Sequence, residues 1–179
     1  GAGLGALHSI EALHRSVPAV DERAFRAFVE RLPSTSGVDS FAWATRTGTS
    51  VRVLCAEPAD PALAAGCDLA ADPVFARALA EAARTGNAAA TVPAGEPRAA
   101  RAFVVLPLRG PPVRGIASIE AYAVAAFPVG GAILSALAEP EWEGLDTTVV
   151  DEEVLVHRAG LAHDASSREV RTTLPFAGR

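Results

Sequence analysis

The chain of 179 residues has no methionine, lysine or glutamine, two cysteines, and 6% aromatic residues. Each shortage excludes something. Without lysine, all sixteen basic side chains are arginine, and they are scattered along the chain. At a formal net charge of −5 there is no clustered positive surface of the kind that phosphate backbones require, so nucleic acid is not an expected partner. No apolar run approaches the roughly 20 residues needed to span a bilayer, and Ala121–Phe127, the nearest, is too short. Cys55 and Cys67 form no C-x-x-C pair, which leaves zinc poorly supported. The pair reads either as a disulfide stapling the Pro- and Ala-rich loop between them or as two buried thiols acting as small hydrophobes, the second being preferred. The missing initiator methionine and the opening Gly1-Ala2-Gly3 lead us to expect a piece of a longer protein whose first residues are a cloning remnant.

Catalytic signatures are missing as well. There is no Gly-x-Ser-x-Gly elbow, no Walker loop and no dinucleotide fingerprint. His8, His14, His157 and His163 sit near opposite ends of the chain, without metal-ligand spacing. A cluster of His157, His163 and Asp164 across the last loop is the one arrangement that would suit chemistry, and solvent is its default. No catalytic residue, metal ligand or cofactor is expected, and an enzyme is the minor alternative.

What is present is a hydrophobic half, enough to pack one ordinary domain or two small modules. The abundance of alanine and arginine is a bias typical of GC-rich coding. Leu4, Leu7, Ile10, Leu13 and Val17 recur at helical spacing up to Pro18. Asp21 then caps a second helix, in which Phe25, Phe28, Val29 and Leu32 follow the i, i+3, i+4, i+7 template. After Gly37 the period becomes two: Phe41, Trp43 and Thr45 alternate, a turn at Thr47–Ser50 follows, and Val51, Val53 and Cys55 alternate again, predicting a hairpin. Asp72 is placed to cap a helix that starts at Pro73, shows Phe75, Ala78, Leu79 and Ala82 on one face, and stops at Gly86. Strands are predicted near Asn87–Val92, at Phe103–Leu108 and at Gly115–Ala121, with a polar loop at Gly95–Arg98 and a turn at Arg109–Pro112. A helix over Phe127–Leu137, a hairpin of Leu145–Val150 with Val154–Arg158, and a strand at Val170–Phe176 complete the set.

Two strands, a helix and three strands in that order predict an α+β fold: N-terminal helices, then a PAS-like antiparallel five-stranded sheet with helices packed on one face. A connecting helix and part of a second, smaller PAS-like module would follow. The expected divisions are a helical stalk or flank over 1–36, a sensing module over 37–126 and the remainder over 127–179.

Several pieces recur in a characteristic order over roughly residues 20 to 160. They are the capped helix Glu22–Leu32 ahead of Gly37-Val38, the strand FAWATR at Phe41–Arg46, and VRVLCAEP ending on Glu57-Pro58. The block Gly66–Thr91 follows with its Gly-x-Asp, Asp-Pro and Thr-Gly elements, then Phe103–Leu108 with Pro107, and Arg114-Gly115. This order resembles the CHASE domain, the extracytoplasmic sensing module of membrane receptors that include plant cytokinin receptors, bacterial sensor histidine kinases and diguanylate cyclases.

The resemblance implies a periplasmic or extracellular ligand-sensing domain. It would bind a small molecule, form a homodimer through the N-terminal helix, and signal through membrane helices outside this chain to a two-component histidine kinase or a diguanylate cyclase. It also implies a pocket lined by strands and the short helix, with Thr91 at a position that lines the pocket in cytokinin-binding members and Glu57 near an acidic ligand-holding position. Trp43, suited to stacking on a flat ligand, and Phe103 and Leu106 complete the candidate binding set, although a Trp on an alternating strand is more often core and Glu57 also reads as a solvated strand end. Arg46, Arg52, Arg101 and Arg109 sit at strand positions from which a guanidinium could clamp a carboxylate, and an ordinary surface role explains most of them equally well. Asp68 and Asp72 read as structural, one fixing a loop and one capping a helix. The alternatives from other classes are a cytoplasmic PAS- or GAF-like regulatory module and a small stand-alone enzyme.

Overall fold

The structure is a computed structural model that describes residues 2–17, 20–32, 37–91, 100–112, 118–129, 147–151 and 154–159. Helix α1 spans Ala2–Ser16 and α2 spans Glu22–Val29. Asp21 caps α2 as its sequence predicts, its carboxylate accepting from the Ala24 amide at 2.7 Å, one of the donors that a helix start leaves unpaired. Leu7 and Ile10 of α1 and Phe25 of α2 are fully buried.

Strands β1, Ser40–Thr47, and β2, Ser50–Glu57, form the predicted hairpin about Gly48-Thr49. The register jumps from Trp43 opposite Cys55 to Ala44 opposite Val53, so Leu54 is the extra residue of a β-bulge. The bulge corrects the expected single-faced alternation of Val51, Val53 and Cys55. Val51 and Val53 join one core and Cys55 the other, while Leu54 stays exposed.

From Pro58 the chain crosses back along β2 as a strap, with a 3-10 turn at Pro61–Leu63, before helix α3, Pro73–Thr85. The Asp72 carboxylate accepts from the Val74 amide at 2.8 Å, Pro73 opens the helix, and Gly86 closes it in the left-handed region at φ 74°. The buried stripe is the predicted one, Phe75, Ala78, Leu79 and Ala82.

Three more strands follow: β3, Ala89–Ala90, β4, Arg101–Arg109, and β5, Ile119–Pro128. The strand order is β2-β1-β5-β4-β3, with every neighbouring pair antiparallel. The α+β arrangement of helices followed by a five-stranded antiparallel sheet is therefore present.

Helices cover both faces of the sheet, α3 on one and the N-terminal helices on the other. On one face Ala42, Ala44, Val53, Phe103, Val105 and Val124 pack with Leu63 and Leu69 of the strap and with Phe75 and Leu79 of α3. On the other, Phe41, Trp43, Leu106, Leu108 and Ala123 pack with Leu7, Ile10 and Phe25. The N-terminal helices pack against the sheet and share its core. Each fully buried Phe contributes roughly 1.5–3 kcal/mol of transfer free energy.

Two-sided burial also explains the largest misplacement of a strand. The sequence predicts Gly115–Ala121, whereas β5 runs Ile119–Pro128 and is buried without interruption from Ala121 to Ala126. A central strand covered on both faces loses the apolar-polar alternation that marks a half-exposed one. Its last residues, Phe127 and Pro128, lie where the connecting helix is expected to begin, and residues 130–137 of that helix, the loop at Gly95–Arg98 and the strand at Val170–Phe176 lie outside the described residues. The later hairpin is present as β6, Thr147–Asp151, paired antiparallel with β7, Val154–Ala159.

Candidate functional site

The strap and α3 cover one face of the sheet, and two aspartates hold the strap down. Asp68 fixes its far end to β2: its carboxylate accepts from the Ser50 hydroxyl at 2.6 Å, the Val51 amide at 2.9 Å and the Ala70 amide at 3.1 Å. Those hydrogen bonds, the Ser50 hydroxyl foremost, hold the carboxyl below the usual aspartate range. Backbone bonds from Gly66 N to Val53 O, from Val53 N to Cys67 O and from Leu69 N to Val51 O make the strap a partial sixth strand along the β2 edge. The loop-fixing role expected of Asp68 is present in full.

Asp60 holds the near end. It caps the 3-10 turn through the Ala62 amide at 2.9 Å, and both of its oxygens take the guanidinium of Arg101, Nη1 on Oδ1 at 3.1 Å and Nη2 on Oδ2. Its side chain is 3% exposed. Burial pushes the Asp60 carboxyl up, but the Arg101 hydrogen bonds and the Ala62 amide outweigh it and hold the group below its ordinary value. This fork-on-fork geometry is the strong form of a charged hydrogen bond.

Arg101 opens β4 on the same face as Phe103, with its guanidinium carbon 5.5 Å from the Phe103 ring centre. Phe103 in turn stacks at 4.8 Å, tilted 47°, on Phe75 of α3. Asp39, just ahead of β1, brings Oδ2 to 3.6 Å from Arg101 Nε, and the neighbouring Ser40 hydroxyl donates to Pro58 O at 2.6 Å. One corner of the sheet therefore gathers a guanidinium, two carboxylates and a stacked aromatic pair.

The structure divides the five expected binding residues. Phe103 belongs to this face. Thr91, 3% exposed, follows β3 at its edge; its amide donates to Phe103 O at 2.8 Å and its hydroxyl oxygen accepts from the Phe103 amide at 2.9 Å. A threonine side chain here takes the place of a backbone acceptor and extends the ladder by one step.

Trp43, Leu106 and Glu57 lie on the opposite face. Trp43 is packed by Phe25 at 6.0 Å and His14 at 5.3 Å, Leu106 is in the same core, and Glu57 pairs with Arg26 of α2 at 3.0 Å. The sheet stands between them and Phe103, so the five do not line one pocket. Strand parity was the available signal: Phe103 and Leu106 are three apart, and residues an odd number apart project to opposite faces.

Of the four arginines, Arg101 is the one that joins the polar cluster at this corner. Arg46 bonds Gly48 O in the hairpin turn, Arg52 bonds Gly66 O of the strap, and Arg109 lies against Gly86. Asp60 escaped the sequence reading although Asp60-Pro61 repeats the Asp-Pro cap of Asp72-Pro73, because a single turn offers no apolar period to mark it.

The cysteines are both free, Cys55 buried and Cys67 exposed, so the expectation of two buried thiols holds for Cys55 alone. Burial pushes the Cys55 thiol up to about 11. Among the described residues no group of three or more His, Cys, Asp or Glu is placed to hold a metal ion, and no helix is long and apolar enough to cross a membrane. No protein-family model matches the sequence, and no curated protein matches it.

Proposed function

We propose that the chain is a ligand-sensing domain of the CHASE type, with a PAS-like sheet as its binding unit. In this reading it is the extracytoplasmic part of a bacterial membrane receptor whose output is a histidine kinase or diguanylate cyclase elsewhere in the parent protein. The observation that carries the reading is the order of elements, two strands, a capped helix and three strands closing into one antiparallel sheet, with the Gly-x-Asp and Asp-Pro residues of the resemblance acting as strap anchor and helix cap. The ligand would sit on the α3 face, beneath the strap and against Phe103, with Arg101 and Asp60 as orienting groups. Leu63, Leu69 and Phe75 close that face at 0–1% exposure, so entry requires the strap to lift. A ligand then signals by favouring the lifted or the seated state.

Pairing of two copies through α1, which the resemblance implies, would use Leu13, Val17 and the outer face of the helix, because Leu7 and Ile10 are buried against the chain's own sheet. A cytoplasmic PAS- or GAF-like regulatory module is the second reading, favoured by two free thiols, which reducing compartments preserve. Apolar spans of about 20 residues on both flanks of the parent protein would exclude it.

The test is a thermal-shift screen against purines, cytokinins, amino acids, carboxylates and short peptides. A ligand at about a hundred times its Kd stabilises a single site by roughly 2.7 kcal/mol, a rise of several degrees for a domain of this size. A flat response across all classes would overturn small-molecule sensing.

A further inference from the structure

The Arg101 guanidinium has two carboxylates within reach and is bonded to only one of them. Its two terminal nitrogens are held by Asp60 of the strap. Its Nε–H is buried and has no hydrogen-bond acceptor among the described residues, while Asp39 Oδ2 stands 3.6 Å away, beyond hydrogen-bond distance. A buried donor left unpaired is costly, and here the acceptor that would relieve it belongs to the frame of the sheet, since the Asp39 amide is tied to Ala126 O of β5 at 2.8 Å. Asp60, by contrast, belongs to the strap, which is bonded to the β2 edge and seated on the sheet through Leu63 and Leu69.

We propose that Arg101 is a two-position latch, exchanging its guanidinium between Asp60, which seats the strap, and Asp39, which frees it. In the second position Nε–H and one terminal nitrogen would bond Asp39, and the unpaired Nε donor of the seated state is satisfied. Asp60 would then keep only the Ala62 amide, and a carboxylate with 3% exposure cannot stay charged and buried without its cation. The strap must lift to hydrate it, carrying Leu63 out of the α3-face core. The ion pair is retained in both positions, so the exchange costs far less than breaking the latch outright. Two discrete seatings of one ion pair make the packed face a two-state element.

The experiment is site-resolved hydrogen exchange on the whole chain, without ligand, comparing Asp39→Asn and Asp60→Asn with the unsubstituted protein. The strap is read at the Leu63, Gly66 and Leu69 amides and the sheet at Val105 and Val124. Removing the competing carboxylate with Asp39→Asn should slow exchange in the strap by about twofold to fivefold, the span of a partly exposed ion pair. Asp60→Asn should speed it in the strap while leaving Val105 and Val124 unchanged. If Asp39 merely supports the seated guanidinium, Asp39→Asn will speed strap exchange, and that result, or no change, overturns the latch. An equal acceleration of strap and sheet in Asp60→Asn overturns it too. The outcome needs no ligand, so it fails or stands separately from the sensing screen.

Discussion

Thr91→Val removes one hydroxyl and leaves the shape of the side chain almost intact. The hydroxyl oxygen is the acceptor for the Phe103 amide at 2.9 Å, and both residues are at most 5% exposed. The valine leaves that amide on a strand buried on both faces, out of reach of water and with its partner gone. An unpaired buried donor costs about 1–3 kcal/mol, which lowers the melting temperature by roughly 2–4 °C per kcal/mol for a chain of this length. Thr91→Ser keeps the oxygen and loses one methyl, at about 0.8 kcal/mol. Urea unfolding of both variants, with unchanged slope, reads the difference directly as a change in midpoint. The expected order is unsubstituted, then Ser, then Val. A Val midpoint equal to or above that of Ser would refute the assignment of Thr91 to the β3–β4 ladder.

Three further outcomes follow from the same structure. Gly86→Ala places a side chain at φ 74° and a Cβ 2.6 Å from Arg109 Nη2; the left-handed backbone costs about 1–2 kcal/mol, Arg109 swings aside, and Gly86→Asn should recover part of the loss in the same urea assay. Asp60 and Asp68 are held below the ordinary aspartate value, so near pH 4 the unfolded chain binds more protons than the folded one; stability should be steady above about pH 5 and fall as the pH drops through their lowered folded values. Urea midpoints against pH should show that fall, with a shallower slope in Asp68→Asn. A chromogenic disulfide reagent at pH 8 should label the exposed Cys67 promptly in the folded protein and Cys55 only on unfolding, because Cys55 is buried with its thiol raised to about 11; two fast equivalents would contradict the placement of Cys55 against Trp43.

The parts of the fold legible in the sequence are those written locally. The α2 and α3 helices carry their caps and apolar stripes within a dozen residues, and the β1–β2 hairpin carries its turn, so both read correctly. What failed depends on distant neighbours. β5 shows no alternation because α1 and α2 cover one of its faces and α3 with the strap the other, and the bulge at Leu54 shifts the face of Cys55 without any local mark. The Asp60–Arg101 pair joins residues 41 apart, and nothing near either one signals the other. A family resemblance and residue type carry no strand parity, which is why Trp43, Glu57 and Leu106 lie on the face covered by α1 and α2, away from Phe103.

The most direct test of small-molecule sensing on the α3 face is a set of ¹⁵N–¹H correlation spectra of the isotope-labelled chain, recorded with and without each compound class of the thermal screen. The account predicts that at least one class moves the amides of Leu63, Phe75, Phe103 and Val105, on the strap and the face beneath it, while those of Leu7, Ile10 and Phe25 stay in place. Spectra unmoved by every class, or shifts confined to α1 and α2, would contradict it.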